Sequence, residues 1–117
     1  MRLNEVTYTD ALPVDGYGPG FFRVGGKVHE GAMAILPGGV STWSGFDDTQ
    51  ALIAAADDLD VVLVGTGAEI AHAPASFRDA LEEAGIGVDV MASPQACRTY
   101  NVLLGEGRRV ALAVLPV

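Results

Sequence analysis

At 117 residues, half of them hydrophobic and few aromatic, the chain suffices for one domain around one Val/Leu/Ala core. Its formal net charge of −8, with seven basic residues and no basic patch, argues against nucleic acid and against attraction to anionic membranes. A single cysteine excludes an internal disulfide, Met1-Arg2 leads into Asn4 and Glu5 rather than an apolar signal segment, and no apolar run is long enough to insert in a bilayer, so a cytoplasmic protein is expected.

Arg2 to Thr9 alternates loosely, with Leu3, Val6 and Tyr8 apolar, and reads as an edge strand. Asp10 to Gly20 holds two prolines and three glycines and reads as loop. Gly25-Gly26 separates Phe21–Val24 from Lys27–Glu30, the pattern of a β-hairpin whose turn needs positive φ. Gly31 to Leu36 continues as a strand and stops at Pro37-Gly38-Gly39. Trp43 and Phe46 are expected to anchor the next connection in the core. Asp47 is placed to cap a helix, with Gln50 completing a capping-box-like pair and Leu52, Ile53, Ala55 and Ala56 on the apolar side.

Val61–Val64 is a wholly apolar run of the kind found in central parallel strands. Pro74–Ala84 reads as a helix with Phe77 and Leu81 on one face, stopped by Gly85. Gly87–Met91 is the next strand. Ser93 then stands as N-cap with Pro94 at N1, and Ala96, Tyr100, Leu103 and Leu104 form one apolar stripe. Gly105 or Gly107 ends that helix, and Arg108-Arg109 precedes the buried strand Val110–Leu115. The order helix, strand, helix, strand, helix, strand from Asp47 onward predicts α/β layers with right-handed crossovers. The hairpin signals in the N-terminal third make the sheet mixed.

Ala96-Cys97-Arg98-Thr99-Tyr100-Asn101-Val102-Leu103-Leu104, followed by Glu106-Gly107-Arg108-Arg109-Val110, resembles the signature of a small α/β family. That family includes the mitochondrial complex I assembly factor 3, an adipogenesis-associated animal protein with an Mth938 domain, and many bacterial and archaeal proteins. Gly65-Thr66-Gly67 and Ala84-Gly85-Ile86 match it in order and spacing, and relatives often carry Asp-Thr where this chain has Ala92-Ser93. The resemblance implies a single three-layer α/β domain over residues 1–117, with a central mixed β-sheet and an N-terminal β-hairpin region. It brings no established catalytic residues.

In open α/β sheets ligands favour the crevice beyond the carboxyl ends of the parallel strands. That edge collects Gly65, Thr66 and Gly67 after one strand and Ser93 after the next, with Arg98 one turn further on. Free amides at the start of the Ser93 helix suit an anion there. Against this, a dinucleotide fingerprint would need a glycine at Ile70, and glycines most often record backbone geometry alone. Cys97 lies beside Arg98 early in a helix, where a thiol pKa can fall, yet packing is the commoner fate of a lone cysteine. His29 and His72 have no metal-site spacing, so neither a metal nor a cofactor is expected. Arg98 and Asn101 share a helix face with Gly105 and form a candidate interface.

Two classes of function follow. The first is a non-enzymatic protein-binding module, with a protein partner and a role in assembling a respiratory or other membrane complex. The second is a small-molecule (anion) site or an enzyme at the Gly65–Gly67 and Ser93–Arg98 crevice. A deep convergent pocket with a low-pKa thiol favours the second; a packed crevice favours the first.

Overall fold

A computed structural model describes residues 12–117; the strand expected at Arg2–Thr9 lies outside them. The chain begins with a three-stranded antiparallel sheet of β1 (Val14–Gly18), β2 (Phe21–Val24) and β3 (Lys27–Glu30), in that order. The Gly25-Gly26 turn has φ values of 59° and 79°, so both positions sit where only glycine is unstrained. The loop expected over Asp10–Gly20 is corrected by β1. Its prolines and glycines are local punctuation, but cross-strand pairing of Tyr17 with Phe22 and Gly18 with Phe21 overrides them. The Phe21 ring lies over Gly18, where a Cβ would come within 2.5 Å of it, so a larger residue there would have to displace the ring.

A second hairpin, β4 (Met33–Leu36) and β5 (Gly39–Thr42), turns at Pro37-Gly38. The expected stop is therefore a turn, and β5 is a strand that the short polar Gly-Val-Ser-Thr sequence conceals. The helix α1 is only Gln50–Ala54, with Thr49 in the cap position and no side-chain cap. Asp47 is thus not its cap, and Gln50 is the first helical residue rather than the third turn position. Asp48 instead organises the connection: its carboxylate accepts the Ser44 N–H at 3.0 Å and its carbonyl accepts the Trp43 indole N–H at 2.9 Å. A buried indole needs such an acceptor, which decides how this loop closes. Phe46 then meets Trp43 and Phe77 edge to face, with centroids 5.6 and 5.1 Å away, and Trp43 and Phe77 meet at a tilt with centroids 6.0 Å apart.

The remaining elements are β6 (Val61–Thr66), α2 (Ala75–Glu83), β7 (Gly87–Met91), α3 (Ser93–Gly105) and β8 (Val110–Leu115). They complete a five-stranded mixed sheet of order β5-β4-β8-β6-β7, parallel across β8-β6-β7 and antiparallel at β4. Both long helices end in Schellman motifs. Gly85 (φ 87°) and Gly107 (φ 78°) are the left-handed residues, and the Ile86 and Arg108 amides reach back to Leu81 and Leu103.

Period-2 alternation divides the sheet side chains between two cores. Leu63, Leu112 and Val114 face α3, where they pack with Tyr100, Cys97 and the inner residues of the three-stranded sheet, Val14, Phe22 and Val24. Val62, Val64, Ala111 and Ala113 face the other way, against Leu52, Phe77, Leu81 and Trp43. The alanines of β8 on that side let the bulky aromatic side chains close over the sheet. The result is a three-layer α/β fold: α3 with the small sheet, the central mixed sheet, then α1 with α2.

Candidate functional site

The parallel strands position the candidate crevice. β6 leads into α2 on one face of the sheet, and β7 leads into α3 on the other. The carboxyl ends of these neighbours therefore diverge, the arrangement that opens a ligand crevice in doubly wound sheets. Gly65, Thr66, Gly67 and Ser93 all meet there.

Ser93 occupies the centre of this junction and is fully buried. Its N–H donates to the Gly67 carbonyl at 2.8 Å, its Oγ accepts the Gly67 N–H at 2.8 Å, and its hydroxyl donates to the Leu115 carbonyl at 2.6 Å. One side chain thus ties together the ends of β6 and β8 and the start of α3. The expectation that Ser93 caps α3 is corrected: Ala92 holds the cap position and no side chain caps the helix. The hydroxyl turns toward Gly67 because the buried Gly67 amide and the part-buried Leu115 carbonyl need partners, and the first turn of α3 holds Pro94, which has no N–H to satisfy.

Thr66 closes the adjoining loop. Its hydroxyl donates to the Glu69 carbonyl at 2.8 Å and accepts the Ala71 N–H at 2.9 Å. Gly65 leaves no room beside it: a Cβ there would come within 2.6 Å of Ser93 Oγ and 2.7 Å of Val114 Cγ1. Among the amides that could greet an anion, Ser93 and Gly67 bond each other's residue, Pro94 has none and Ala96 reaches the Ala92 carbonyl, while Gln95 has no partner among the described residues. Arg98 is not brought to this junction; it lies on the exposed face of α3 with Val102.

Ser93→Ala removes a side-chain partner from the buried Gly67 amide and the part-buried Leu115 carbonyl. The expected loss of unfolding free energy is about 1–3 kcal/mol. Urea unfolding of the two proteins measures it, with the same slope for both and a lower midpoint for the variant.

Asn101 does not project outward with Arg98. Its side-chain amide donates to the Val14 carbonyl at 2.9 Å, and its Oδ1 accepts the Val14 N–H at 2.8 Å. The side chain acts as one more strand partner for β1 and fixes the small sheet to α3. Tyr100 adds to the clamp by donating its hydroxyl to the Leu12 carbonyl at 3.0 Å. This role was invisible in the sequence, because Asn101 and Val14 lie 87 residues apart.

Cys97 is 3% exposed, between α3 and the sheet. Burial pushes its thiol up to about 11, a rise that Arg98 only partly opposes. The thiol is protonated at neutral pH and is a packing group. Its folded value lies above its unfolded one, so its contribution to stability is complete below about pH 9 and lost as pH rises through about 11. Unfolding free energy should fall in that window with a slope approaching about 1.4 kcal/mol per pH unit for this proton. Cys97→Ala should flatten the fall; denaturant titrations at pH 8, 9, 10 and 11 check it.

At the opposite end of the strands Arg109 binds the Asp60 carboxylate and the Asp57 carbonyl, both at 2.9 Å. The hydrogen bond from Arg109 holds the Asp60 carboxyl below its ordinary value. Arg109 thus marks the start of β8. His29 on β3 and His72 in the loop before α2 take no part in a cluster: among the described residues no three His, Cys, Asp or Glu side chains come together. An open groove of about 420 Å³ does lie beside the junction, lined by Ile70, Ala71, His72, Ala73, Arg78 and Val90. This groove is not among the expectations from sequence; Ile70, an apolar residue in an otherwise small and polar loop, is the one sequence feature that points to it.

This fold and its serine-sealed junction belong to a small α/β domain built around one mixed sheet. The chain belongs to the family described as protein of unknown function (DUF498/DUF598), which matches residues 14–115. It is 48% identical over 117 residues, all of this chain and 94% of the relative, to an uncharacterized protein of Rhodobacter capsulatus. It is 30% identical over 123 residues, 99% of this chain and 67% of the relative, to human NADH dehydrogenase [ubiquinone] 1 alpha subcomplex assembly factor 3. The chain spans 62% of the length of the zebrafish assembly factor 3, to which it is 29% identical.

Among solved structures, a Bordetella pertussis Mth938-like domain superposes with a TM-score of 0.74 at 30% identity, over 99% of this chain and 92% of that one. A Bartonella henselae protein described as an outer membrane protein superposes with a TM-score of 0.83 at 34% identity, over 89% and 93%. Among the described residues of the present chain, no helix is long and apolar enough to cross a membrane.

Proposed function

We infer that this domain is a non-enzymatic protein-binding module that assists the assembly of a respiratory or other membrane complex, working from the cytoplasm. The observation that carries this reading is the crevice itself. Its hydroxyls and most of its amides already bond one another, while a relative matching 99% of this chain is named an assembly factor. A sealed crevice suits a rigid body that offers its surface to another protein. The exposed Arg98 on α3, beside the exposed Val102, is the surface we assign first to the partner; Asn101 serves that surface by holding α3 and β1 in place.

The test is affinity capture of the tagged protein from its own host, with quantitative mass spectrometry, beside a folded Arg98→Glu variant. A partner retained near stoichiometrically by the wild type and lost by the variant is the expected result. The competing reading, an anion site or enzyme using Gly65, Thr66, Gly67, Ser93 and Arg98, would replace ours on a different outcome. That outcome is no enriched protein, together with a small molecule retained in native mass spectrometry and lost on Thr66→Ala.

A further inference from the structure

The end strand β7 pairs only with β6 among the described residues, so its other side is a sheet edge. The Gly87 N–H donates to the Asp60 carbonyl on the β6 side, with Gly87 opposite Val61. In a parallel ladder a residue turns its N–H and C=O the same way and its neighbour turns both the opposite way. Gly87, Asp89 and Met91 therefore face β6, and Val88 and Val90 present their backbone donors and acceptors outward.

The other sheet edges carry devices that discourage pairing. β1 is irregular between Val14 and Gly16 and is clamped by Asn101. β3 ends in Lys27 and Glu30, and β5 is four residues with two polar side chains at its end. β7 has no proline, no irregularity in its pairing and a single charge, Asp89.

Its two faces also differ in chemistry. Val88 and Val90 lean to the α2 side, and beyond Val90 lies the groove with Ile70, which is 67% exposed. Asp89 points to the opposite side and is exposed. An added strand would thus set apolar side chains over Val90 and Ile70 and a basic side chain beside Asp89.

We propose that the outer edge of β7 takes up an extended segment of a partner protein as an added strand, with apolar residues alternating with Lys or Arg. Backbone groups that are unpaired among the described residues call for a strand, and the alternation of the two faces specifies its side chains. Charge selects another protein over a second copy of this chain: a second β7 would bring another Asp89 to the same edge, and each copy carries a net charge of −8. The inference rests on the partner-binding reading above and assigns it a second contact besides Arg98.

The test uses the partner captured by the wild type and then purified. Amide hydrogen exchange of Val88 and Val90 is followed by NMR, free and bound. Affinity is measured for the wild type, Asp89→Lys and Val88→Pro. Proline at 88 removes an outward N–H and leaves the β6 ladder intact. The expected result is at least tenfold slower exchange of both amides in the complex and at least tenfold weaker binding of Asp89→Lys.

A partner that binds without slowing either amide, with Asp89→Lys bound as tightly as wild type, overturns the β7 assignment and leaves the partner reading standing. Slowing of both amides in the free protein as its concentration rises names a second copy as occupant and overturns the proposal. Capture of no partner removes the partner reading and this inference together. Asp89→Lys and the exchange rates decide the matter even where Val88→Pro does not fold.

Discussion

Tyr100→Ala is expected to lower the unfolding free energy by about 3–5 kcal/mol, the range for deleting a large buried aromatic. Tyr100 is fully buried at the meeting of α3, the central sheet and the small sheet, among Val14, Phe22, Ile35, Leu63 and Leu112. Removing the ring opens a cavity where α3, the central sheet and the small sheet meet, and none of them can close it without leaving another contact. It also deprives the Leu12 carbonyl of its donor. Tyr100→Phe separates the two effects, because it keeps the ring and removes only the hydrogen bond, at about 1 kcal/mol. Urea unfolding followed by circular dichroism measures both. An unchanged midpoint for Tyr100→Ala with loss of partner binding would instead make Tyr100 a contact residue.

Gly65→Ala is expected to cost about 3 kcal/mol, at the upper end for overpacking. The added methyl would lie 2.7 Å from Ser93 Cα and from Val114 Cγ1, and 2.6 Å from Ser93 Oγ. One of these neighbours is backbone, so a rotamer change cannot relieve the clash. The start of α3 must move away from β6, stretching the pair of hydrogen bonds between Ser93 and Gly67. Thermal and urea unfolding should show the loss, with earlier exchange of the Gly67 amide. Wild-type stability in this variant would mean that the crevice has room to spare and would favour a ligand there.

The second half of the fold was legible because its signals are local and agree. In α2 the Phe77/Leu81 face, the stop at Gly85 and the strand Gly87–Met91 lie within a few turns of one another. The same holds for α3, Gly107 and β8. The first half was harder because its strands depend on distant partners. β1 looks like loop until β2 and Asn101 hold it, and β5 is too short and polar to declare itself. Asp47 satisfied every local rule for a helix cap and lost to the Trp43 indole, whose acceptor is the neighbouring Asp48.

The candidate crevice shows the same division. That Gly67 and Ser93 meet was readable, since it follows from strand order and crossover. What they do there was not, because the partner of the Ser93 hydroxyl is the Leu115 carbonyl, 22 residues on. Ser93 fits the sequence pattern of a helix cap equally well; only the three-dimensional junction distinguishes a cap from a tie. The position of Arg98 one turn into α3 suggests the crevice, and helical rotation carries it to the exposed face.

The measurement that tests the assembly role most directly is made in the protein's own host. Its gene is deleted, and the amount of each assembled respiratory complex in the membranes is quantified by native electrophoresis. The account predicts a several-fold fall in one assembled complex, with its subunits still synthesised, and recovery on returning the wild-type gene. Complexes at the parental level, together with a metabolite that accumulates in the deletion strain and binds the purified protein, would contradict it.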